Sequence, residues 1–350
     1  MSAEFKAVQW NRAKLVYDAV VLAGIALYIE TFMKAARWLG APEHPVTWDI
    51  ERIRAFGSCA FLMLTITLSI GPLTRLDRRF LPFLYNRRHL GVMTFCVAAL
   101  HAWYVVNWYA GHGKLPALVA LLAINPHYAS FVYFPFEALG ILALVILFVM
   151  AATSHDYWLA FLSPAVWKGV HMAVYAAYGL LVMHVALGVM QTERSPLVPL
   201  LLGGAFALVA ALHLAADWHE RHEHAVAPRA GWIGVGPAHS IPDRGARIVS
   251  APGGERIAVF RDGQRIGAVA NLCAHQHGPL GEGRVIDGCI TCPWHGFQYR
   301  LEDGRSPPPF TEKIATHRVR LVRGAVEVEA APQPPGTALT LAQMTEEQDG

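Results

Sequence analysis

Six apolar segments, at 14–34, 54–73, 89–109, 132–151, 166–190 and 196–216, constrain this chain more than any other feature. Each approaches the roughly 20 apolar residues that a helix needs to cross about 30 Å of hydrocarbon. Lipid offers no partner for backbone N–H and C=O groups, so spanning segments of this length must be helices. Composition agrees, since 54% of the 350 residues are hydrophobic and 16% are charged, too apolar for one soluble domain. The net charge of +3 says little by itself, and no nucleic-acid partner is expected. A shorter run, "LPALVALLA" at 115–123, is too brief to span and reads as an interfacial or re-entrant piece. "WYVVNWY" closes the third segment in the manner of an aromatic belt. The first residues, "MSAEFKAVQWNRAK", lack the apolar core and cleavage site of a signal peptide, so no cleaved leader is expected.

Basic residues orient the bundle. Lys6, Arg12 and Lys14 precede the first segment, and Arg75, Arg78, Arg79, Arg87 and Arg88 crowd the connection between the second and third. Lys34, Arg37, Arg52 and Arg54 follow the first segment, whereas the connections after the third and fifth hold only Lys114 and Arg194. The positive-inside rule then places both termini in the cytoplasm, in a plasma (inner) membrane. Residues 217–230 form a charged linker, in which His219, His222 and His224 read as part of a solvated segment and not as a metal site. From 231 to 332 the pattern changes to short alternating runs, "RIAVF", "IGAVA", "HRVRLV" and "AVEVE", separated by "PGG", "RDG", "DG" and "EDG". The expected architecture is a polytopic α-helical bundle of six transmembrane helices over 1–216, followed by a small all-β domain at 231–332. The remaining residues, 333–350, read as a mobile tail.

The β domain contains "CAHQHGPLGEGRVIDGCITCPWHG", with Cys273-x-His275 and Cys292-x-x-His295 separated by sixteen residues. Zinc sites also use paired spacings, but zinc fingers usually give each pair one ligand type. Here each pair holds one Cys and one His. That suits a Rieske 2Fe–2S centre, where two thiolates hold one iron and two imidazoles the other. The wording "CAHQHGPL … CPWHGFQY" resembles the Rieske family over roughly 231–330. The resemblance implies a cluster on Cys273, His275, Cys292 and His295, of the ferredoxin type. The extra disulfide and the sulfur-bonding Ser of high-potential members are replaced at Gly278 or a neighbour, Trp294 and Phe297, and only Tyr299 is kept. Fewer hydrogen bonds to the cluster sulfurs imply a potential near the low end, roughly −150 mV. Cys289 reads as a small strand residue, Cys59 and Cys96 as helix-packing residues, and no disulfide framework is expected.

Ionisable residues inside spanning helices are costly and mark function. The third segment carries His101, and the fifth carries His171 and His184, thirteen residues apart. Thirteen residues of helix rise about 20 Å, so the latter two sit at different depths. His101 lies about 19 Å beyond Arg88 in the outer half, level with His184, and imidazoles from two helices at one depth can ligate a haem iron from both sides. His171, nearer the cytoplasm, would serve a second haem. On an ideal helix His171 and His184 point some 140° apart, which calls either for a bend, which Gly179 between them would permit, or for haems bound on offset faces. "GPLTRL … NRRHLGVMTFCVAALHAWY" and "KGVHMAVYAAYGLLVMH" resemble the ferric-reductase-like transmembrane family over roughly 50–190. That resemblance implies b-type haem, one or two, at His101, His171 and His184. His89, His213 and His155 are the candidates for the partner of His171, and Arg87 and Arg88 for the propionates of an inner haem.

No flavin or nicotinamide site is expected within this chain. "GWIGVG" at 231–236 lacks the third Gly of a dinucleotide fingerprint and the helix after it. The two resemblances together imply an oxidoreductase component that passes single electrons from a cytoplasmic donor, a reductase or ferredoxin, through the cluster and haem to an acceptor at the outer face. A quinone-reactive carrier and a non-catalytic redox sensor or assembly subunit are the alternatives.

Overall fold

The computed structural model describes residues 12–39, 47–112, 115–123, 125–130, 132–155, 158, 161–192, 196–223, 231–294 and 296–344. They fall into two compact units, one built from Ala13–Ile70 and Asn86–His213, the other from Gly71–Tyr85 and 214–344.

The first unit is helical. In chain order the helices are α1 (Arg12–Leu39), α2 (Trp48–Leu76), α3 (Leu81–His112), α4 (Ala117–Ala123), α5 (Phe136–Thr153), α6 (Pro164–Met172), α7 (Val174–Leu187), α8 (Val189–Thr192) and α9 (Leu197–Glu223). Among the described residues six stretches are long and apolar enough to span a membrane: Lys14–Ala35, Trp48–Leu76, Arg78–Gly111, Phe136–Thr153, Ala165–Gln191 and Leu197–His219. Their outer faces carry exposed leucines, such as Leu27 at 65% and Leu200 at 68%, which a lipid surround would cover. Inside, Leu64, Leu68, Leu147, Ala177, Tyr178 and Val209 pack into one cluster. Two contacts tie α2 to α7 there: Phe61 stacks on Tyr178 at 5.4 Å, and the Thr65 and Tyr178 hydroxyls lie 3.1 Å apart.

The fifth span lapses for one residue between α6 and α7, at Ala173, whose amide bonds the Val170 carbonyl at 3.2 Å in a tightened turn. Ala173 keeps right-handed torsions, φ −62° and ψ −10°, and Gly179 lies inside α7. The run at 115–123 forms only the seven-residue α4. α9 continues to Glu223, into the segment read as a linker.

The β domain holds β1 (Trp232–Pro237), β2 (Gly245–Ser250), β3 (Arg256–Asp262), β4 (Arg265–Ala270), β5 (Arg284–Ile286), β6 (Cys289–Thr291), β7 (Gln298–Arg300), β8 (Thr316–His317), β9 (Val319–Val322), β10 (Ala325–Glu329) and β11 (Ala342–Gln343). They form three antiparallel sheets, ordered β1-β10-β9, β11-β4-β3-β2 with β8 also on β4, and β5-β6-β7. Two hairpins close on two-residue turns with both residues at positive φ, Asp287-Gly288 and Arg323-Gly324, the geometry that matches strand twist. One core sits behind β5-β6-β7 with Phe260, Leu280, Ile290, Phe297 and Tyr299, and a second lies under β1 and β10 with Ile233, Ile257, Ile266 and Val326.

The segment expected to be a mobile tail is built into this domain over 333–344. Gln333 N bonds Thr316 O at 2.8 Å, Leu339 N bonds Glu302 O at 2.9 Å, and β11 pairs with β4. Leu341 packs on the first core. Backbone bonding to strands already in place holds it, where its Pro-rich wording suggested none.

Candidate metal centres

Two loops at the edge of the small sheet present the cluster-type ligands, and both have the same backbone plan. In the first, Cys273 N donates to Gly278 O at 2.9 Å and His277 N to Cys273 O at 2.7 Å. In the second, Cys292 N donates to Phe297 O and Gly296 N to Cys292 O, both at 2.8 Å. The fifth residue of each loop is left-handed, His277 at φ 56° and Gly296 at φ 68°. The plan sets one Cys at the head of each loop and its His two or three residues on. His295 lies outside the described residues, as does His224. The other three ligand candidates, Cys273, His275 and Cys292, all come from these loops.

The surroundings fit a buried cluster. Cys273 and Cys292 are 0% and 1% exposed. Burial pushes the Cys273 thiol up. Hydrogen bonds from Cys292, Tyr299 and the amides of His275 and Gln276 more than offset that, bringing it to about 7, toward the thiolate that iron requires. The Tyr299 hydroxyl is 3.4 Å from Cys273 Sγ, and burial together with that sulfur raises its own pKa. Phe297 stacks on the His275 ring at 4.8 Å and 11°. A Cβ on Gly278 would lie 2.8 Å from Cys292 Sγ and 3.1 Å from the Trp294 ring, so only glycine leaves the sulfur its space. Neither amide atom of the buried Gln276 has a hydrogen-bond partner among the described residues, an orphaned polar group beside the ligands. The described cysteines are all free thiols, with Cys289 buried in β6.

In the helical unit, His101 on α3 and His184 on α7 come together. Their ring centroids are 6.4 Å apart and the rings are nearly perpendicular, at 88°. Two metal–nitrogen bonds of about 2 Å, plus about 1 Å from each nitrogen to its ring centre, give roughly 6 Å. The separation therefore suits one iron between two imidazoles. Each ring is fixed from behind by its Nδ1, His101 on Ile53 O at 2.8 Å and His184 on Phe136 O at 2.7 Å, which directs Nε2 to the shared space.

Sequence reasoning missed the supports of these rings. Ile53 precedes His101 by 48 residues, and Phe136 precedes His184 by the same 48. Four residues after each carbonyl comes a glycine, Gly57 and Gly140, where a Cβ would sit 2.9 Å from the imidazole. The repeated pattern A-x-G-x-x-A-x-x-x-L, at 55–64 and 138–147, was the available signal. The α2–α3 and α5–α7 pairs thus present their histidines by one device used twice.

The inner candidates have these partners among the described residues. His171 bonds Trp167 O at 3.0 Å through Nδ1 and meets Ser154 Oγ at 3.3 Å through Nε2, with its ring stacked on Trp167 at 3.8 Å. His89 Nδ1 is held by the Asp18 carboxylate at 2.9 Å. His213 Nε2 bonds the Tyr175 hydroxyl at 2.9 Å.

Residues 231–317 match the family described as Rieske [2Fe-2S] domain, and residues 55–182 the family described as ferric reductase like transmembrane component. The second match includes His101 and His171 and stops two residues before His184. Over 77 residues the chain is 42% identical to the anthranilate 1,2-dioxygenase ferredoxin subunit of Burkholderia cepacia, across 22% of this chain and 71% of that protein. Over 153 residues it is 28% identical to the protein-methionine-sulfoxide reductase heme-binding subunit MsrQ of Caulobacter vibrioides, across 42% of this chain and 64% of that protein. Among solved structures, a complex of reduced oxygenase and oxidized ferredoxin in carbazole 1,9a-dioxygenase aligns over 30% of this chain and 98% of that one, at 26% identity and a TM-score of 0.29.

Proposed function

The chain belongs to the Rieske [2Fe-2S] family, with a ferric-reductase-like transmembrane component ahead of its Rieske domain, and from that premise we propose that it passes single electrons from a cytoplasmic donor to an acceptor at the outer face of the membrane. The observation that carries this reading is the facing pair His101 and His184, 6.4 Å apart, in a chain that also holds a Rieske ligand loop pair. Cys273 and Cys292 would hold one iron of the cluster, His275 and His295 the other, and His101 and His184 a b-type haem. When bound, these groups supply the one-electron chemistry. The chain supplies the rest: sulfurs in a dry pocket, imidazoles fixed through Nδ1, and apolar walls that keep water away. Tyr299 beside Cys273 is the one hydroxyl kept where high-potential Rieske centres have more hydrogen bonds to sulfur, and the loss of the others supports a low cluster potential, hence electrons arriving from a reductase or ferredoxin and leaving toward the haem. Arg75 in the last turn of α2 and Arg78 and Arg79 between α2 and α3 support the cytoplasmic placement of that connection, and six crossings return the C-terminal domain to the same side.

Haem b per polypeptide in the purified chain tests the reading. About two per chain puts a second haem at His171, with Nε2 released from Ser154. One leaves the His101/His184 haem alone, and it should vanish in H184A. None, in protein made with ample haem, overturns the route.

One observation favours a membrane quinone as the acceptor. A cavity of about 340 Å³ beside Phe136, Leu187 and Gly188 is walled by Tyr133 and Phe134 and edged by Asn125, His127 and Gln191. Aromatic walls with a few polar groups suit a planar carbonyl ring. Rapid oxidation of the reduced haem by a water-soluble quinone, abolished by narrowing the cavity, would establish that branch.

A further inference from the structure

The second compact unit contains more than the β domain, because Gly71–Tyr85, the turn between two membrane helices, belongs to it. Arg78 lies across the start of β2 and donates twice to backbone, from Nη1 to Ala246 O at 3.1 Å and from Nη2 to Gly283 O at 2.8 Å. A Cβ on Gly245 would come within 2.7 Å of its Nη1, so the guanidinium lies flat where the missing side chain leaves room. Beside it Arg75 Nε meets Glu282 Oε1 at 3.0 Å, on a carboxylate side chain only 11% exposed. The Tyr85 hydroxyl donates to Thr291 O at 3.1 Å. That carbonyl belongs to the peptide joining Thr291 to the ligand Cys292. A Cβ on Gly283 would fall 2.1 Å from the same Thr291 oxygen, so the Arg78 and Tyr85 contacts converge on one spot behind the cluster loop. Arg79, by contrast, is turned to Asp77.

From this geometry we propose that the α2–α3 turn is a permanent dock for the cluster loop, keyed by Arg78, with Tyr85 as the positioning residue that couples the peptide of Cys292 to α3. Bidentate donation to two carbonyls is specific to a guanidinium, and a lysine in its place would keep the charge and lose the fork. The coupling half of the proposal rests on the reading that one electron leaves the reduced cluster and reduces a ferric haem in the same chain. The docking half does not.

The full chain in lipid nanodiscs provides the test, by hydrogen–deuterium exchange and by single-turnover electron transfer after flash photoreduction of the cluster. Arg78→Gln should speed exchange over 280–292 at least tenfold and slow cluster-to-haem transfer at least tenfold, with the cluster and haem spectra unchanged. Glu282→Gln, a gentler change, should loosen the same segment to a smaller degree. Arg79→Gln should alter neither. Tyr85→Phe should slow transfer several-fold while exchange stays as in the parent chain. Unchanged exchange in both Arg78→Gln and Glu282→Gln overturns the dock, and an unchanged transfer rate in Tyr85→Phe overturns the coupling. If the parent chain passes no electron from cluster to haem, the coupling falls with the functional reading, and the exchange data alone decide the dock.

Discussion

The Tyr299 hydroxyl, 3.4 Å from Cys273 Sγ, favours the more negative, reduced cluster. A hydrogen bond with a difference of about 1 kcal/mol between redox states corresponds to about 40 mV for one electron. Tyr299→Phe should therefore lower the cluster midpoint by a few tens of mV in an EPR-monitored titration. Gly57 and Gly140 allow a sharper test. Alanine at either position brings a methyl group to 2.9 Å from a ring already anchored to a carbonyl, so the imidazole must move and the haem should be weakened or lost. Haem absorbance per protein should fall by more than half in Gly57→Ala or Gly140→Ala. Gly91→Ala, where nothing lies within 4 Å, should match the parent. At this scale the ligand candidates were easy to single out, because cysteine and histidine announce themselves by spacing. Their supports were not, because a backbone carbonyl carries no sequence signature and a glycine in a helix has many meanings.

His317 ties two sheets together, since β8 pairs with β4 while its Nδ1 reaches Glu329 O on β10 at 2.9 Å. Burial lowers its pKa below the ordinary 6.5, with the Glu329 carbonyl pulling the other way. The unfolded chain therefore takes up this proton first. Stability from a neutral His317 is complete above about pH 6.5 and is lost as the pH falls below it, by at most about 1.4 kcal/mol per pH unit. Urea unfolding of the domain, followed by cluster circular dichroism from pH 7.5 to 5.5, should show this loss, and His317→Gln should flatten it. Element boundaries followed the sequence where period and turn chemistry agreed, as in the Asp287-Gly288 and Arg323-Gly324 hairpins. They departed from it at α9, which runs to Glu223 into the segment read as a linker, and again over 333–344. The one-residue lapse at Ala173, itself at φ −62° and ψ −10°, leaves Ala165–Gln191 one candidate span. Residues 333–344 were read as a tail because a strand of two residues has no period to detect.

On the scale of the whole chain, six spans and a β domain were legible from hydropathy alone, because membrane length and strand alternation are coarse signals that no local detail obscures. How the connection at 71–85 joins the β domain was not, since Arg78 looked like a topology determinant and gave no sign of its carbonyl partners. Both roles require the same side of the membrane. A reporter active only outside the cytoplasm should be silent when fused after Gly350 and active when inserted near Ser130, between α4 and α5. The opposite pattern would reverse the direction of the proposed route.

The dock also has a consequence for synthesis. Arg78 and Tyr85 emerge from the ribosome about two hundred residues before Gly283 and Thr291, so the receiving surface is in the membrane long before its guest exists. A chain stopped short of the cluster loops would leave Arg78 and Tyr85 without the carbonyls they meet in the finished molecule.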